Sequence, residues 1–449
     1  MTSIFSPLSA ENCHCGDGSH VPSLMCHEVR CRIDLWRASW CRAYVALASS
    51  FFASTAAPHA IRRAFCSKRE SNILEINMKK IGIVSIERTI NTNILSFDEM
   101  YASVGMNTGN FMFTEAVYRQ LNADTQCIGF SYNPEKANKE LDHIVIPAAN
   151  WINSYSDWGW LCDILEKTHI PVTVVGLGIQ NDNNNIDNFQ ASVSSIRLAK
   201  ILSQKSPLIS VRGQVTKSYL QNLGIKNSIV TGCPSLYMRL DDYKNSIDKR
   251  ESIVIQSTRY GMSKKFLQED SINNSLFAIC KKLDADMVLQ SEIEEIMILV
   301  KQDSEARDIS DNVLNYLSEL YGFERRSDFF DFLRQRCRVF FDVNHWSNFL
   351  RDRYGVIGTR LHGAIIALNS GVPALLIPHD SRTSEMANFA GIPTLAASEA
   401  ASLNTLEGAK EKLSHADVKK FQATRARNGI IYRSFLTACN LPYREEALF

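Results

Sequence analysis

Gly358-Thr-Arg-Leu-His-Gly-Ala-Ile-Ile-Ala-Leu-Asn-Ser-Gly-Val-Pro373 sets two strong polar groups where a strand gives way to a helix. The run Tyr354-Gly-Val-Ile-Gly358 before it is a strand candidate, and Ile365, Ile366 and Leu368 after it recur at a spacing that faces a core. Arg360 and His362 occupy the turn. Free N–H groups and the dipole at a helix start attract anions, and a guanidinium adds a bidentate clamp for phosphate or carboxylate. A solvated arginine beside a capping histidine has the same local pattern, so the turn takes its meaning from its surroundings.

Around this turn, short β-rich runs alternate with helical stretches from Lys79 onward, the pattern of parallel sheets covered by helices on both faces. Upstream strands are expected at Ile81–Ser85, Thr125–Phe130, His143–Pro147, Val172–Leu177, Leu208–Val211 and Ser228–Thr231. Helices are expected near Phe111–Leu121, Asp157–Lys167, Phe189–Ser203 and Val215–Asn222, with Ser154 or Ser156 as the cap of the second. Downstream, strands at Ile253–Gln256, Met287–Gln290, Val339–Asp342, Gly355–Gly358 and Ala374–Pro378 alternate with helices near Ile272–Leu283, Val313–Tyr321, Phe329–Arg336 and His362–Asn369.

The charged stretch Leu240–Glu251 separates the two series. The expected organisation is therefore α/β, with two Rossmann-like domains (78–240 and 252–416) facing a cleft, a linker at 241–251, and a helical ending at 417–449 that braces them. Open α/β sheets place ligands at the carboxyl ends of their strands, where Gly176, Gly178, Arg212, Arg360 and His362 all fall.

The chain of 449 residues is 45% hydrophobic and 22% charged, as in ordinary soluble proteins large enough for two cores. A net charge of +1 argues against a nucleic-acid surface built on bulk positive charge, so anion recognition should be local. Six of the twelve cysteines precede Met78; the spacing of Cys13, Cys15, Cys26, His27 and Cys31 fits no familiar zinc finger, and no metal is expected. The apolar stretch Ala43–Ala57 lies too far from the first residue for a secretory signal and is too short to span a bilayer. Met-Lys-Lys-Ile-Gly at 78–82 reads as a natural start, which makes 1–77 an extension, disordered or not natively translated. The later cysteines show no paired spacing, which points to reduced thiols in the cytoplasm. Separately, at most peripheral membrane association is expected.

Asn107-Thr-Gly-Asn110, Val175-Gly-Leu-Gly-Ile-Gln180, Ser210-Val-Arg-Gly213, Thr231-Gly-Cys-Pro-Ser235, the lead-in from His345, the turn at 358–363 and His379-Asp-Ser-Arg-Thr-Ser-Glu385 follow one another in an order that resembles the polysaccharide pyruvyl transferase family. The likeness runs from about Lys79 to Thr394. It implies a fold like the two-domain GT-B glycosyltransferases, and transfer of the enolpyruvyl unit of phosphoenolpyruvate to sugar hydroxyls of a cell-surface or exopolysaccharide glycan as a pyruvate ketal. No cofactor is implied beyond that donor, and the partners are phosphoenolpyruvate and a glycan or lipid-linked oligosaccharide.

By the same resemblance Arg212 and Arg360 bind the donor and His362 is the catalytic acid. Gly176 and Gly178 line the donor site, although close helix-strand packing explains a Gly-x-Gly as readily. Asn107, Gly109, Asn110, Asp380 and Glu385 are candidate acceptor or loop contacts. Asn110 and Cys233 stand where many relatives have aspartate; the first removes a possible base, and the second reads as a packed thiol. Trp151, Trp158 and Trp160 suit sugar stacking or a core. Two other readings share the architecture: a glycosyltransferase using a nucleotide sugar, and a carbohydrate-binding relative without activity.

Overall fold

His143-Ile-Val-Ile-Pro147 and Val172-Thr-Val-Val175 present apolar residues to both faces, which suits strands covered on both sides, and both are buried along their length. The computed structural model describes residues 78–88, 90, 95–180, 188–240, 251–259, 271–301 and 309–448. The extension 1–77, the linker positions 241–250 and the loop Tyr260–Asp270 lie outside these residues.

The first series runs β1 (Lys80–Ile83), α1 (Phe97–Ser103), α2 (Asn110–Gln120), β2 (Asp124–Cys127), α3 (Pro134–Glu140) and β3 (His143–Pro147). It continues with α4 (Gly159–Glu166), β4 (Val172–Val175), α5 (Val193–Lys205), β5 (Ile209–Val211), α6 (Gln214–Asn222) and β6 (Ser228–Val230). Four strands pair in parallel in the order β2-β1-β3-β4, and the pair β5-β6 joins them through a parallel bridge from Leu177 to Val211.

The second series is β7 (Val254–Gln256), α7 (Ile272–Lys282), β8 (Asp286–Leu289), α8 (Ile293–Lys301), α9 (Asp311–Leu320), α10 (Arg326–Arg336) and β9 (Cys337–Val339). Then come α11 (Val343–Arg351), β10 (Val356–Gly358), α12 (Leu361–Asn369), β11 (Ala374–Leu376) and α13 (Ser381–Ala390). These strands form one parallel sheet, β11-β10-β7-β8-β9. Its order reverses at β7, so the crevice outside the carboxyl ends of β7 and β10 is the topological switch point, with Gln256 level with Gly358 across it. The chain closes with α14 (Ala397–Ala401), α15 (Leu406–Ser414) and α16 (Val418–Ala438).

All described residues fall in one compact unit, Asn77–Phe449, and one core cluster runs through both sheets, joining Ile83, Phe111 and Val175 to Ile255, Val288 and Ile357. A second cluster, with Ile146, Leu161, Val174 and Leu198, covers the other face of the first sheet. Helix α16 touches both series: the Tyr432 hydroxyl donates to Gln120 Oε1 (2.9 Å), and Asn428 Nδ2 donates to the Phe389 carbonyl (2.8 Å). Among the described residues no helix is long and apolar enough to cross a membrane.

Two local expectations are corrected. Neither Ser154 nor Ser156 caps α4: Asn153 Oδ1 accepts the N–H groups of Tyr155 and Ser156 and holds them in a turn, and the helix starts at Gly159 beside Asp157. The strand expected at Val339–Asp342 lies earlier, at Cys337–Val339, because Asp342 is the N-cap of α11 and accepts from His345 N (2.9 Å). Helices α1, α3, α8, α11, α14 and α15 go beyond the expected set. Four of them carry start signals: the Ser96/Glu99 capping box, Asn133 with Pro134, Asp342, and Thr405.

Candidate active site

Arg360 leaves β10 as the N-cap of α12, and its side chain runs back along the sheet end rather than out to water. Its Nε donates to the Ser257 carbonyl (2.6 Å), and Nη2 reaches Ser291 Oγ and the Glu292 carboxylate. Glu292 is fully enclosed and also accepts the backbone N–H groups of Gln290 (2.8 Å), Ser291 (3.1 Å) and Arg259 (3.1 Å). Burial pushes its carboxyl up, but Arg360, the Gln290 N–H and Arg259 together outweigh that push and hold it below the usual range. Behind it Arg259 pairs with Glu294 (2.8 Å) and Glu295; burial leaves the Glu295 carboxyl pushed up to about 7.

Arg212, at the end of β5, is 5% exposed, the same as Arg360, but its partners differ in kind. Nε donates to the Gly176 carbonyl (3.0 Å) and Nη2 to the Ala148 carbonyl (3.2 Å), while the guanidinium lies 5.5 Å from the Phe113 ring centre. No carboxylate among the described residues pairs with it, and burial pushes it below the ordinary arginine range, although it remains a cation. Gly178 makes room for it: a Cβ there would stand 3.1 Å from Arg212 Cδ and 2.8 Å from Asn150 Oδ1, a buried oxygen without a partner.

His362, in the first turn of α12, lies near both arginines. Its Nε2 meets Cys233 Sγ at 3.5 Å, and its ring is tilted against Phe113 at 5.6 Å. Removal from water, with Arg212, Arg382 and Arg360 nearby, holds the imidazole well below the usual histidine range. The unliganded site therefore presents a neutral imidazole among three guanidiniums. Arg382, which the sequence reading passes over, is held by Asp380 (3.1 Å), and its Nε is buried without a partner.

Two amides complete the switch point. Gln256, at the end of β7, is fully buried with Nε2 unpartnered, and its Oε1 accepts weakly from Gln290 Nε2 (3.4 Å). Its side chain fills the space where Gly363 has none, since a Cβ on Gly363 would lie 1.4 Å from Gln256 Oε1. This is why a glycine, normally about 1 kcal/mol worse than alanine in a helix, sits in α12. Polar residues ending apolar runs, as in Ile253-Val-Ile-Gln256 and Met287-Val-Leu-Gln290, are the signal that would have marked both glutamines.

The structure thus gathers Gly109, Gly176, Gly178, Arg212, Arg360 and His362 at one place, and assigns other contacts to the remaining candidates. Asn107 Oδ1 accepts the Gly109 N–H (2.8 Å) at the start of α2. Asn110 turns away, donating to the Val104 carbonyl (3.0 Å). Asp380 is the N-cap of α13 through Thr383 N (2.6 Å), and Glu385 crosses to the other series to accept from Val215 N (2.7 Å) in α6. Trp151 and Trp158 stack on each other at 4.7 Å, with Trp160 6.4 Å beyond.

Among solved structures, MnaA of S. aureus with UDP is similar at 11% identity (81% of this chain, 99% of that one, TM-score 0.40). UDP-N-acetylglucosamine 2-epimerase of Rickettsia bellii matches at 14% (81% and 97%, TM-score 0.40), and UDP-GlcNAc 2-epimerase of Neisseria meningitidis bound to UDP-GlcNAc at 10% (80% and 100%, TM-score 0.39). No curated protein sequence matches the chain. The family model for polysaccharide pyruvyl transferase matches residues 107–381, from the Asn107 turn to the first residue of α13, and takes in every residue gathered around His362 except Arg382, one position beyond its end. The chain belongs to the polysaccharide pyruvyl transferase family and is a transferase.

Proposed function

We propose that this transferase takes phosphoenolpyruvate as donor and sets its enolpyruvyl unit as a pyruvate ketal on two hydroxyls of a glycan, releasing phosphate at the cytoplasmic side of the membrane. The observation that carries this reading is the positive charge around His362, where Arg212 has no carboxylate to balance it among the described residues. A donor with a phosphate and a carboxylate supplies the missing negative charge, and arginines suit its planar and tetrahedral oxyanions. The reading calls for no cofactor besides this substrate.

In the reaction one acceptor hydroxyl adds to C2 of the donor while its C3 methylene gains a proton. The C2–O bond to phosphate then breaks, and the second hydroxyl closes the ketal. Of the two hydroxyl protons, one is matched by the new methyl C–H and the other leaves with phosphate. His362 is the group placed to move a proton, and a bound dianion would offset the arginines that keep its ring neutral. The test is phosphate release from phosphoenolpyruvate over a panel of lipid-linked and free glycans. Release dependent on a glycan supports the reading; a thermal shift with nucleotide sugars and none with phosphoenolpyruvate would sink it.

A further inference from the structure

We propose that Cys233 fixes the tautomer of His362, making Nδ1–H the group that faces the donor. This rests on the donor-site reading above for what Nδ1 meets, but not for the tautomer itself. The thiol lies in the turn between β6 and Pro234, fully buried, with Sγ 3.5 Å from His362 Nε2. Ser235 Oγ donates to the same sulfur at 3.0 Å. With its sulfur already accepting from Ser235, the thiol has its own proton to give, and Nε2 is the acceptor in reach. A neutral imidazole that accepts at Nε2 carries its proton on Nδ1.

Nδ1 points toward the start of α2. A Cβ on Gly109 would stand 3.3 Å from Nδ1 and 2.5 Å from Gln290 Oε1, so the space in front of Nδ1 is bounded by a residue with no side chain. No hydrogen-bond partner of Nδ1 occurs among the described residues. The charged groups around the ring are Arg360 at the start of its own helix, Arg212 beyond β5 and Arg382 in α13, and α2 has no acid in its first turn. Every one of these charges disfavours the imidazolium, and Cys233 is the titratable group in direct contact. A neutral ring held this way donates from Nδ1 to a phosphate or enol oxygen without first being charged. Cys233 is thus a positioning residue, acting through His362.

Nitrogen-15 NMR of histidine in the full chain tests this without any substrate. The wild type should show His362 as the Nδ1–H form, with its titration well below the ordinary histidine range. Cys233→Ser should keep that form, Cys233→Ala should move toward Nε2–H, and Cys233→Asp, whose carboxylate accepts from Nε2–H, should reverse the tautomer and raise the titration. In phosphate release, Cys233→Ala should lower kcat about ten-fold with KM for phosphoenolpyruvate unchanged, and Cys233→Ser should recover most of it. An Nε2–H signal in the wild type, or His362 signals identical in Cys233→Ser and Cys233→Ala, overturns the assignment. If Cys233→Asp fails to fold, the other two variants carry the comparison. A wild type with the expected signals but no response to phosphoenolpyruvate supports the tautomer and refutes the donor reading instead.

Discussion

Arg212 and Arg360 are equally buried near His362, yet the first sheet holds its arginine with two carbonyls and the second with a carboxylate. A carbonyl orients a guanidinium without cancelling its charge; a buried carboxylate does both. Among the described residues Arg212 is thus the cation without a paired carboxylate, while Arg360 is held in a network with Glu292. On the proposed reading both arginines serve the donor, Arg212 with its charge less offset than that of Arg360.

The largest effect is expected at His362. His362→Gln should lower phosphate release by about 10²- to 10⁴-fold with the melting temperature little changed. A loss of only a few fold would leave the two arginines without a proton-moving partner. Next, Arg360→Met removes the guanidinium that pairs with buried Glu292, leaving it its backbone donors and the more distant charge of Arg259. It should cost about 3 kcal/mol of stability, read by denaturant unfolding. Adding Glu292→Gln should recover part of that. If Arg360→Met were as stable as the wild type, the ion pair would not be structural and the contrast with Arg212 would fall.

The Arg360 side should also carry a pH dependence. With the Glu295 carboxyl pushed up to about 7 by burial, against about 4.5 in the unfolded chain, the folded state binds more protons between those values. The contribution of Glu295 is therefore full below about pH 4.5 and is lost as pH rises through 7, an amount on the order of 1–3 kcal/mol. Melting curves from pH 5 to 8 should show the fall, and Glu295→Gln should flatten it. The smallest effect is at the contact that ties the two series together: Glu385→Ala removes the carboxylate that caps α6 and should cost about 1 kcal/mol, seen as a lower melting temperature.

The contrast between the arginines also marks what was legible in the sequence. A guanidinium or imidazole just past an apolar run is visible from local pattern, so Arg212, Arg360 and His362 could be read at once. Their partners could not, because Glu292 lies 68 positions from Arg360 and Cys233 lies 129 from His362, brought together only by parallel strand order. Gln256 and Gln290 read as ordinary strand ends until the sheet aligned Gln256 with Gly358. Asp380 and Glu385 show the opposite case: acids after a buried strand suggested contact with a sugar, and each is engaged in capping a helix. Capping boxes at Ser96 and Asp380 were readable, but short helices with few apolar positions leave little periodicity to detect.

Calorimetric titration of phosphoenolpyruvate into the wild type and into Arg212→Met tests the contrast between the arginines most directly. Binding to the wild type and a loss of about 100-fold or more in the variant are expected, with a smaller loss of stability than in Arg360→Met because two carbonyl hydrogen bonds but no ion pair are broken. Equal affinity in the two proteins, or no binding by the wild type, would contradict it.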